Sequence, residues 1–492
     1  MSLSLGGFLT SVIVARTLSV VETGEVAYAF WIIALTAAVA DLGVYASLER
    51  YMPELTGAGR GEQAEQLAAF LLRRLGLASI VSLAAYSAYA GWLWAQGTEP
   101  PAVPLRWLLI GFACATQTVS TFTMACMRGL QQYQRLAALT ILWVLLQLAG
   151  LAVGGIALGV SGALAGYCAG SIVPAALSIL WMRADWQLPD ELRKRVRRYA
   201  FYSWAGALSS AFVWSRAEVF FLEHTAGSKA VALFSVGLTL SNVIAQVPMR
   251  LSGAGLLPYF SERFGRGQLA EVHSVFATAT RIQAFFVLPA CFQMVALMPV
   301  LLPLIYGSAF AAAVPAAMIL VAAAALVSIL SVSTILFYAV DRSDFGFFCG
   351  LLAAPLTIVT GLTIIPEFGL LGAAWARAGV TLCTFPLGCW FLARRLRCPL
   401  PLKEVALIVI AAAIGGLASW GCLMVVVWPI AALPTAICVG SAVYLAAIRM
   451  LGAMPETDVE RLQSLNQLLP HYLRMVVNAA IRLVFAPTGA RT

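Results

Sequence analysis

Five ionisable residues lie inside long apolar stretches of the sequence, where a charge is costly. They are Asp41, Arg216, Glu218, Arg250 and Arg377. Because hydrocarbon does not solvate charge, such residues in a membrane helix face a water-filled cavity or pair with one another. The planar guanidinium of arginine donates two parallel hydrogen bonds to a phosphate. The pattern therefore predicts that the three arginines bind an anionic group, while the two carboxylates serve ion coupling or charge pairing.

A structural interpretation of the same residues stays open. Long basic side chains also reach from a helix to the headgroups, and buried ion pairs also fix helix packing. Arg216 and Glu218 are two residues apart, so they point roughly 200° apart on a continuous helix. At most one of the two is then expected to face a central cavity.

The composition indicates that membrane helices position these residues. The chain has 492 residues, of which 61% are hydrophobic and 11% charged, whereas soluble domains carry about 25% charged residues. Its ten cysteines form no CxxC pair, and its three histidines fall in polar connections. Both observations argue against a disulfide framework, a metal site or a buried histidine catalyst. The net charge of +9 therefore concerns membrane topology and not nucleic acid binding.

Windows of about 20 apolar residues predict an all-α polytopic membrane protein with about fourteen transmembrane helices. The spans cover residues 3–21, 26–47, 75–95, 105–127, 136–158, 160–182, 199–222, 230–257, 282–305, 312–340, 345–365, 370–393, 404–428 and 430–449. The first span starts almost at Met1 with no charged leader before it, so it does not have the pattern of a signal peptide.

The basic residues predict the orientation of these helices. With the amino terminus inside, most of the 31 basic residues lie in cytoplasmic connections, and Arg16, Arg106 and Lys229 are the exceptions in outer connections. This bias predicts that both termini are cytoplasmic, in a bacterial inner membrane. All outer connections are short, which argues against a membrane enzyme with a large external catalytic loop.

A short repeat suggests two similar halves. Gly59-Arg60-Gly61 recurs as Gly265-Arg266-Gly267, each after a proline and before an Ala-Glu pair. Such parallel repeats are typical of transporters that move two halves around a central site. We therefore expect a first lobe at 1–182, a basic linker at 183–198, a second lobe at 199–393, two further helices at 404–449 and a cytoplasmic amphipathic tail at 450–492.

Three further patterns indicate packing and membrane contact. Gly162, Gly166 and Gly170 repeat every four residues on span six, with Gly150 and Gly154 on span five, and small residues at that spacing let two helices approach closely. The basic run from residue 193 to residue 198 favours topology and contact with anionic headgroups. In the tail, an apolar stripe flanked by arginines predicts a helix lying on the membrane surface.

Several motifs follow one another along the chain up to residue 450. They are Ala15-Arg-Thr-Leu-Ser-Val-Val-Glu-Thr-Gly24, Asp41-Leu-Gly43 with Glu49-Arg-Tyr-Met-Pro-Glu54, Met127-Arg-Gly129, Leu304-Ile-Tyr-Gly307-Ser-Ala-Phe310 and Ile365-Pro-Glu-Phe-Gly-Leu-Leu-Gly-Ala-Ala374. In order and spacing they resemble the polysaccharide flippases of the multidrug/oligosaccharidyl-lipid/polysaccharide (MOP) exporter superfamily. Ser19, Val20 and Thr23 stand where that family usually has Gly, Pro and Tyr.

The resemblance implies a fold like that of the MATE transporters, with two six-helix lobes in a V around a central cavity and two further helices. It also implies flipping of an undecaprenyl-diphosphate-linked oligosaccharide, or export of a related polysaccharide, from the cytoplasmic to the periplasmic leaflet. No GxxxxGK[ST] loop is present, so coupling to H⁺, to Na⁺ or to substrate supply is expected, with no cofactor. The implied partners are the lipid-linked substrate, membrane lipids, a polysaccharide polymerase and glycosyltransferases.

Other functions stay open on the sequence alone. Within the same superfamily they are a lipid II flippase and a drug–cation antiporter, although antiporters usually have twelve helices, so the spans at 404–428 and 430–449 count against them. A membrane enzyme or a partner subunit of polysaccharide polymerisation is the alternative from another class. The short outer connections disfavour it.

Overall fold

A computed structural model describes residues 2–182, 185–214, 216–340, 344–398, 400–425, 429–455 and 458. Across these residues the fold is all-α. The helices are α1 (Ser2–Thr17), α2 (Val20–Ala40), α3 (Val44–Gly57), α4 (Gly61–Gln96), α5 (Ala102–Gly129), α6 (Tyr133–Leu177), α7 (Ile179–Met182), α8 (Asp190–Trp214), α9 (Ala217–Gly265), α10 (Leu269–Tyr306), a 3₁₀ helix (Ser308–Ala313), α11 (Val314–Ala339), α12 (Asp344–Arg395), α13 (Leu402–Val425) and α14 (Pro429–Leu451).

Ten helices among the described residues are long and apolar enough to cross a membrane. Three of the helices are much longer than one crossing, since α6 has 45 residues, α9 has 49 and α12 has 52, whereas about 20 residues span the apolar core. Each contains an interruption, at Leu158–Gly159, at Gly227 and at Gly369. These three positions fall at the predicted boundaries between neighbouring spans. The predicted polytopic all-α fold is confirmed.

The long helix α6 is a hairpin of two antiparallel segments. Gly159 at its turn has φ +60°, a conformation that favours glycine. On either side of the turn, Gly150 faces Gly166 and Gly154 faces Gly162, so closely that a Cβ atom on any of the four would overlap the opposing backbone. The predicted close packing of spans five and six through small residues is confirmed.

We expect Gly162→Val to destabilise the protein strongly, because the new side chain meets the carbonyl oxygen of Gly154 across the hairpin. Overpacking costs about 1–3 kcal/mol in well-packed cores, and a backbone neighbour cannot rotate away. Thermal unfolding of detergent-purified protein measures the effect. Gly91→Val in α4 is the matched control, since a Cβ there meets nothing within 4 Å. Equal melting temperatures for the two variants would contradict the close approach.

The predicted repeat is present in the backbone conformation before α4 and before α10. The equivalent residues are shifted by two positions from those that the Gly-Arg-Gly motif pairs. Before α4, Gly59 has φ +73° and its N–H bonds to Thr56, and before α10, Gly267 has φ +73° and its N–H bonds to Phe264. The hydrogen bonds on both sides of the two glycines follow the same pattern. Gly59 therefore corresponds to Gly267, whereas the Gly-Arg-Gly motif pairs it with Gly265.

Contacts divide the chain into two compact units. Unit 1 comprises Met1–Ser235 and Ala354–Leu370, and unit 2 comprises Val236–Ala353 and Leu371–Thr492. In unit 1, apolar cores lie among α3, α4, α5 and α8 and among α1, α2, α5 and α6. In unit 2, a core of Phe260, Phe276, Leu336 and Phe391 joins α9, α10, α11 and α12. The lobe boundaries expected from the sequence stay a prediction.

Beyond α14, Asp458 anchors the chain to α10 within unit 2. The carboxylate of Asp458 is fully buried and accepts hydrogen bonds from Nε of Arg281 at 2.5 Å and from the hydroxyl of Thr278 at 2.8 Å. The first residues beyond α14 therefore pack against α10. The predicted amphipathic helix of the tail lies outside the described residues.

We expect Asp458→Asn to lower the melting temperature clearly, because Arg281, only 12% exposed, would lose the charge that balances its own. Breaking a buried ion pair costs about 3–5 kcal/mol. Asp190→Asn is the matched control, since its ion pair with Arg193 spans 4.0 Å at the surface and such pairs contribute about 0–1 kcal/mol. Deletion of residues 460–492 should then be tolerated better than deletion of 456–492. An unchanged melting temperature in Asp458→Asn would contradict this anchoring.

Candidate functional site

Asp41 lies at a break between α2 and α3. The chain leaves the helical conformation at Leu42 and Gly43, which have φ +49° and +75°. A carboxylate oxygen of Asp41 accepts a hydrogen bond from the backbone N–H of Tyr45 at 3.0 Å, and the Tyr45 hydroxyl donates to the carbonyl of Thr118 at 2.9 Å. The carboxylate therefore binds one of the backbone N–H groups that the first turn of α3 leaves without an intrahelical partner. The Tyr45 hydroxyl links the same turn to α5.

Helix α8 packs directly onto this break. A Cβ atom on Gly43 would overlap the carbonyl of Ala200, so only glycine permits this approach. The indole Nε1 of Trp204 donates to the carbonyl of Val39 at 3.1 Å, one of the carbonyls that the end of α2 leaves without an intrahelical partner. The Asp-Leu-Gly motif is thus the point where α2, α3 and α8 meet.

Arg216 and Glu218 flank a second break, between α8 and α9. Arg216 has φ +109°, which is rare and costly for a residue with a side chain. Its carbonyl accepts the N–H of Val219 at 3.0 Å, so it stands at the start of α9. Glu218 is 3% exposed in the first turn, where the helix dipole favours a carboxylate. The expected angle of roughly 200° between the two side chains assumed a continuous helix. That assumption is wrong, because the helix is interrupted at Arg216.

The remaining two predicted arginines belong to unit 2. Arg377 is half-buried in α12, and its carbonyl accepts a hydrogen bond from the Thr381 hydroxyl at 3.0 Å. Arg250 lies within α9, and its side chain is outside the described atoms. Asp41, Arg216 and Glu218 belong to unit 1. Their joint role as binding or coupling residues stays a prediction.

Sequence reasoning missed a cluster around the first turns of α9 in unit 1. His224 packs on Phe220 with ring centroids 4.4 Å apart and lies near Tyr28 of α2. One carboxylate oxygen of Glu223 accepts the Ser228 hydroxyl at 2.7 Å. The sequence places Glu223, His224 and Ser228 in a polar connection between two predicted spans. The available signal was the aromatic pair Tyr28 and Trp31, three residues apart on one face of α2, which stack at 5.7 Å.

The ends of this cluster are held by close contacts between α2 and neighbouring helices. Gly24 lies so close to the backbone of Ser228 that a Cβ atom would overlap the Ser228 carbonyl. Glu25 of α2 forms an ion pair with Arg106 of α5 at 2.7 Å. Gly24 belongs to the first motif that carries the family resemblance, so this motif marks a packing contact.

Many long apolar helices, interrupted beside charged residues, are typical of polytopic membrane transporters. A model of the polysaccharide biosynthesis protein family matches residues 2–264, and a model of the lipid II flippase MurJ family matches residues 222–446. The first match covers more than half of the chain. The chain therefore belongs to the polysaccharide biosynthesis protein family. The predicted resemblance to flippases of the MOP superfamily is confirmed.

Solved structures share the fold at low sequence identity. A structure titled lipid II flippase MurJ in an inward closed conformation is 12% identical, with a TM-score of 0.72 over 91% of this chain and 96% of that one. An inward-facing multidrug resistance MATE family transporter of the MOP superfamily is 16% identical, with a TM-score of 0.64 over 80% of this chain and 95% of that one. No curated protein sequence matches the chain.

The hydrogen bond from the Tyr45 N–H to Asp41 can be tested separately from the predicted role of the Asp41 charge in ion coupling. We expect Asp41→Ala to destabilise the protein by about 1 kcal/mol, the usual contribution of one hydrogen bond. Asp41→Asn should stay close to the parent, because the side-chain oxygen of asparagine can still accept the Tyr45 N–H. Thermal unfolding of the two purified variants checks this. If Asp41→Asn melts as low as Asp41→Ala, capping of Tyr45 is not what the carboxylate contributes. Transport by the stable Asn variant then tests ion coupling.

Proposed function

We propose that this protein flips an undecaprenyl-diphosphate-linked oligosaccharide, or exports a related polysaccharide, from the cytoplasmic to the periplasmic leaflet by alternating access. The observation that carries the proposal is the match of the polysaccharide biosynthesis family model over residues 2–264. The whole-chain fold likeness to a lipid II flippase supports it, since that likeness extends over 91% of the chain. H⁺ or Na⁺ coupling, and cooperation with a polysaccharide polymerase and glycosyltransferases, belong to the same proposal.

The short connections support a transporter and not an enzyme. Those predicted to lie outside are two residues between α1 and α2, residues 97–101, the interruptions at Gly159, Gly227 and Gly369, and the short 3₁₀ helix. None of these described segments offers room for an acceptor, a donor and catalytic carboxylates. We therefore propose a non-enzymatic carrier.

The orientation is proposed from charge. Basic residues concentrate in the connections that include residues 193–198 and residues 263–266, which favours a cytoplasmic location for both connections and for both termini. The inner membrane of a bacterium is the corresponding location. Reporter fusions after Leu451 and near Glu99 test it, and a periplasmic carboxy terminus would contradict the proposal.

Arginines are the proposed contacts for the lipid diphosphate. Arg216 is the best supported, because its strained backbone stands at the interruption between α8 and α9, and helix amino termini at such interruptions bind anionic groups. Arg250 and Arg377 complete the proposed set of substrate contacts, and Asp41 and Glu218 are the proposed residues for ion coupling or charge pairing.

We expect Arg216→Ala to weaken substrate binding about ten- to a hundredfold, because a hydrogen bond to a charged group contributes about 1.5–3 kcal/mol. Arg216→Lys should restore only part, since lysine lacks the planar fork. Flipping of lipid-linked oligosaccharide in proteoliposomes is the measurement, with Arg250→Ala and Arg377→Ala beside it. Arg135→Ala is the control, as Arg135 is exposed before the first span of α6. Unchanged flipping by all three alanine variants at normal protein levels would contradict the cationic path.

A lipid II flippase is the second candidate function. The MurJ family model matches residues 222–446, and that region contains α13 and the greater part of α14, which drug–cation antiporters of the superfamily usually lack. Lipid II and undecaprenyl-diphosphate oligosaccharides share the diphosphate and differ in the attached sugar. Assaying both substrates with the same proteoliposomes decides between the two functions.

A further inference from the structure

The basic run that precedes the membrane part of α8 forms an amphipathic turn of helix in unit 1. Leu192, Val196 and Ala200 are buried on one side, and the first two belong to the core with α3 and α4. Arg193 and Arg197, which are exposed, lie beside this buried stripe. The burial pattern therefore holds a row of guanidinium groups outward at one end of unit 1.

This row faces a second pair of arginines on α4. Arg74 is half-buried, with its guanidinium 4.5 Å from the ring centroid of Phe70. Leu71, Leu72 and Leu75, which flank these arginines on α4, share one apolar core with Leu192 and Val196 of α8. This packing brings Arg74 near Arg193 and Arg197, whose charges act on that of Arg74. Like charges placed so closely repel one another, and partial burial weakens the screening by water.

Carboxylates near this cluster do not balance it. Asp190 lies 4.0 Å from Arg193 and is 86% exposed, a geometry in which an ion pair contributes little. Within the described part of the chain, neither Arg74 nor Arg197 lies within ion-pair distance of a carboxylate. Glu54 on α3 pairs with Arg195 at 3.2 Å. A bound anion would therefore reduce the repulsion among Arg74, Arg193 and Arg197.

The surroundings of the cluster are those of a membrane interface. Arg73 lies 4.7 Å from the ring centroid of the half-exposed Trp186, and tryptophan is enriched at headgroup level. The short helix α7, which contacts α4, exposes Ile179, Leu180 and Met182. An acyl chain can lie along these apolar side chains while the guanidinium groups reach the phosphate at its end.

We propose that Arg73, Arg74, Arg193 and Arg197 form a binding site for an anionic phospholipid, and that it prefers a headgroup with two phosphates. Several guanidinium forks provide more parallel donors than one phosphate can accept. The expected order of affinity is therefore cardiolipin, then phosphatidylglycerol, then phosphatidylethanolamine. The site is separate from the proposed substrate arginines, and it depends on the proposed orientation only for the leaflet that supplies the lipid.

Native mass spectrometry of the purified full chain with each of the three lipids tests the site. We expect the variant Arg74→Gln/Arg193→Gln/Arg197→Gln to retain cardiolipin at least fivefold less than the parent. The control variant Arg135→Gln/Arg263→Gln/Arg266→Gln removes the same charge elsewhere and should retain cardiolipin as the parent does. Equal loss in both variants, or equal retention of phosphatidylethanolamine by the parent, would overturn the proposal.

Thermal unfolding separates binding from a merely structural role. Because the substitutions relieve repulsion, the site variant without lipid should melt at least as high as the parent, and cardiolipin should raise the melting temperature of the parent alone. A lower melting temperature in lipid-free detergent would mean that these arginines hold the fold. Displacement of cardiolipin by undecaprenyl diphosphate at lower concentration would make this a substrate site and would also overturn the proposal. Flipping activity enters neither measurement, so failure here leaves the proposed transport function standing.

Discussion

Direct backbone-to-backbone contact between helices is the constraint on which the rest of this structure depends. Lipid tails are as apolar as leucine side chains, so apolar burial alone does not hold membrane helices together and close packing must do so. Glycines supply that packing at the turn of α6, at the meeting of α2 with Ser228 and at the meeting of the α2–α3 break with Ala200. A methyl group at Gly24 or Gly43 would separate α2 and α3 from α9 and α8, next to the candidate residues of unit 1. The same contacts therefore position both the fold and the site.

Each break in a helix leaves backbone N–H and carbonyl groups without an intrahelical partner. Neighbouring side chains can form hydrogen bonds with these groups. An interrupted membrane helix exposes backbone donors and acceptors that lipid cannot bind. At Asp41 the carboxylate takes a free N–H and Trp204 donates to a free carbonyl. At Arg216 the interruption leaves a charged residue in a strained conformation. At the first break the open backbone groups are bound by neighbouring side chains, and at the second the strained backbone holds a guanidinium at the start of α9.

Most of the fold was predictable because membrane helices follow from composition, length and small-residue spacing, which are local properties. The apolar spans, the glycine contact within α6 and the backbone repeat are of this kind. The break at Arg216 was not predictable, since no proline or glycine marks it and the apolar run continues through it. The register of the repeat was not predictable either, because the motif pairs Gly59 with Gly265. The correspondence of Gly59 with Gly267 is visible only in the backbone hydrogen bonds. Asp458 with Arg281, and Arg74 with Arg193, join segments far apart in sequence, and one sequence carries no signal for such pairs.

The preference for arginine over lysine connects the two proposed phosphate sites. Lysine occurs at 194, 229 and 403, and every other basic residue among the 31 is arginine. A guanidinium spreads its charge over a plane, is weakly hydrated and packs on aromatic rings, as Arg50 does on Tyr199 and Arg73 on Trp186. Such a group loses less on leaving water for a membrane interface than an ammonium does. The two proposed sites differ in position along the membrane normal, because Arg216 stands within a predicted membrane span while Arg73 stands beside the exposed Trp186. We therefore propose Arg216 as a contact for the diphosphate of the transported lipid. The cluster around Arg74 is the proposed contact for a phospholipid headgroup that remains in its leaflet.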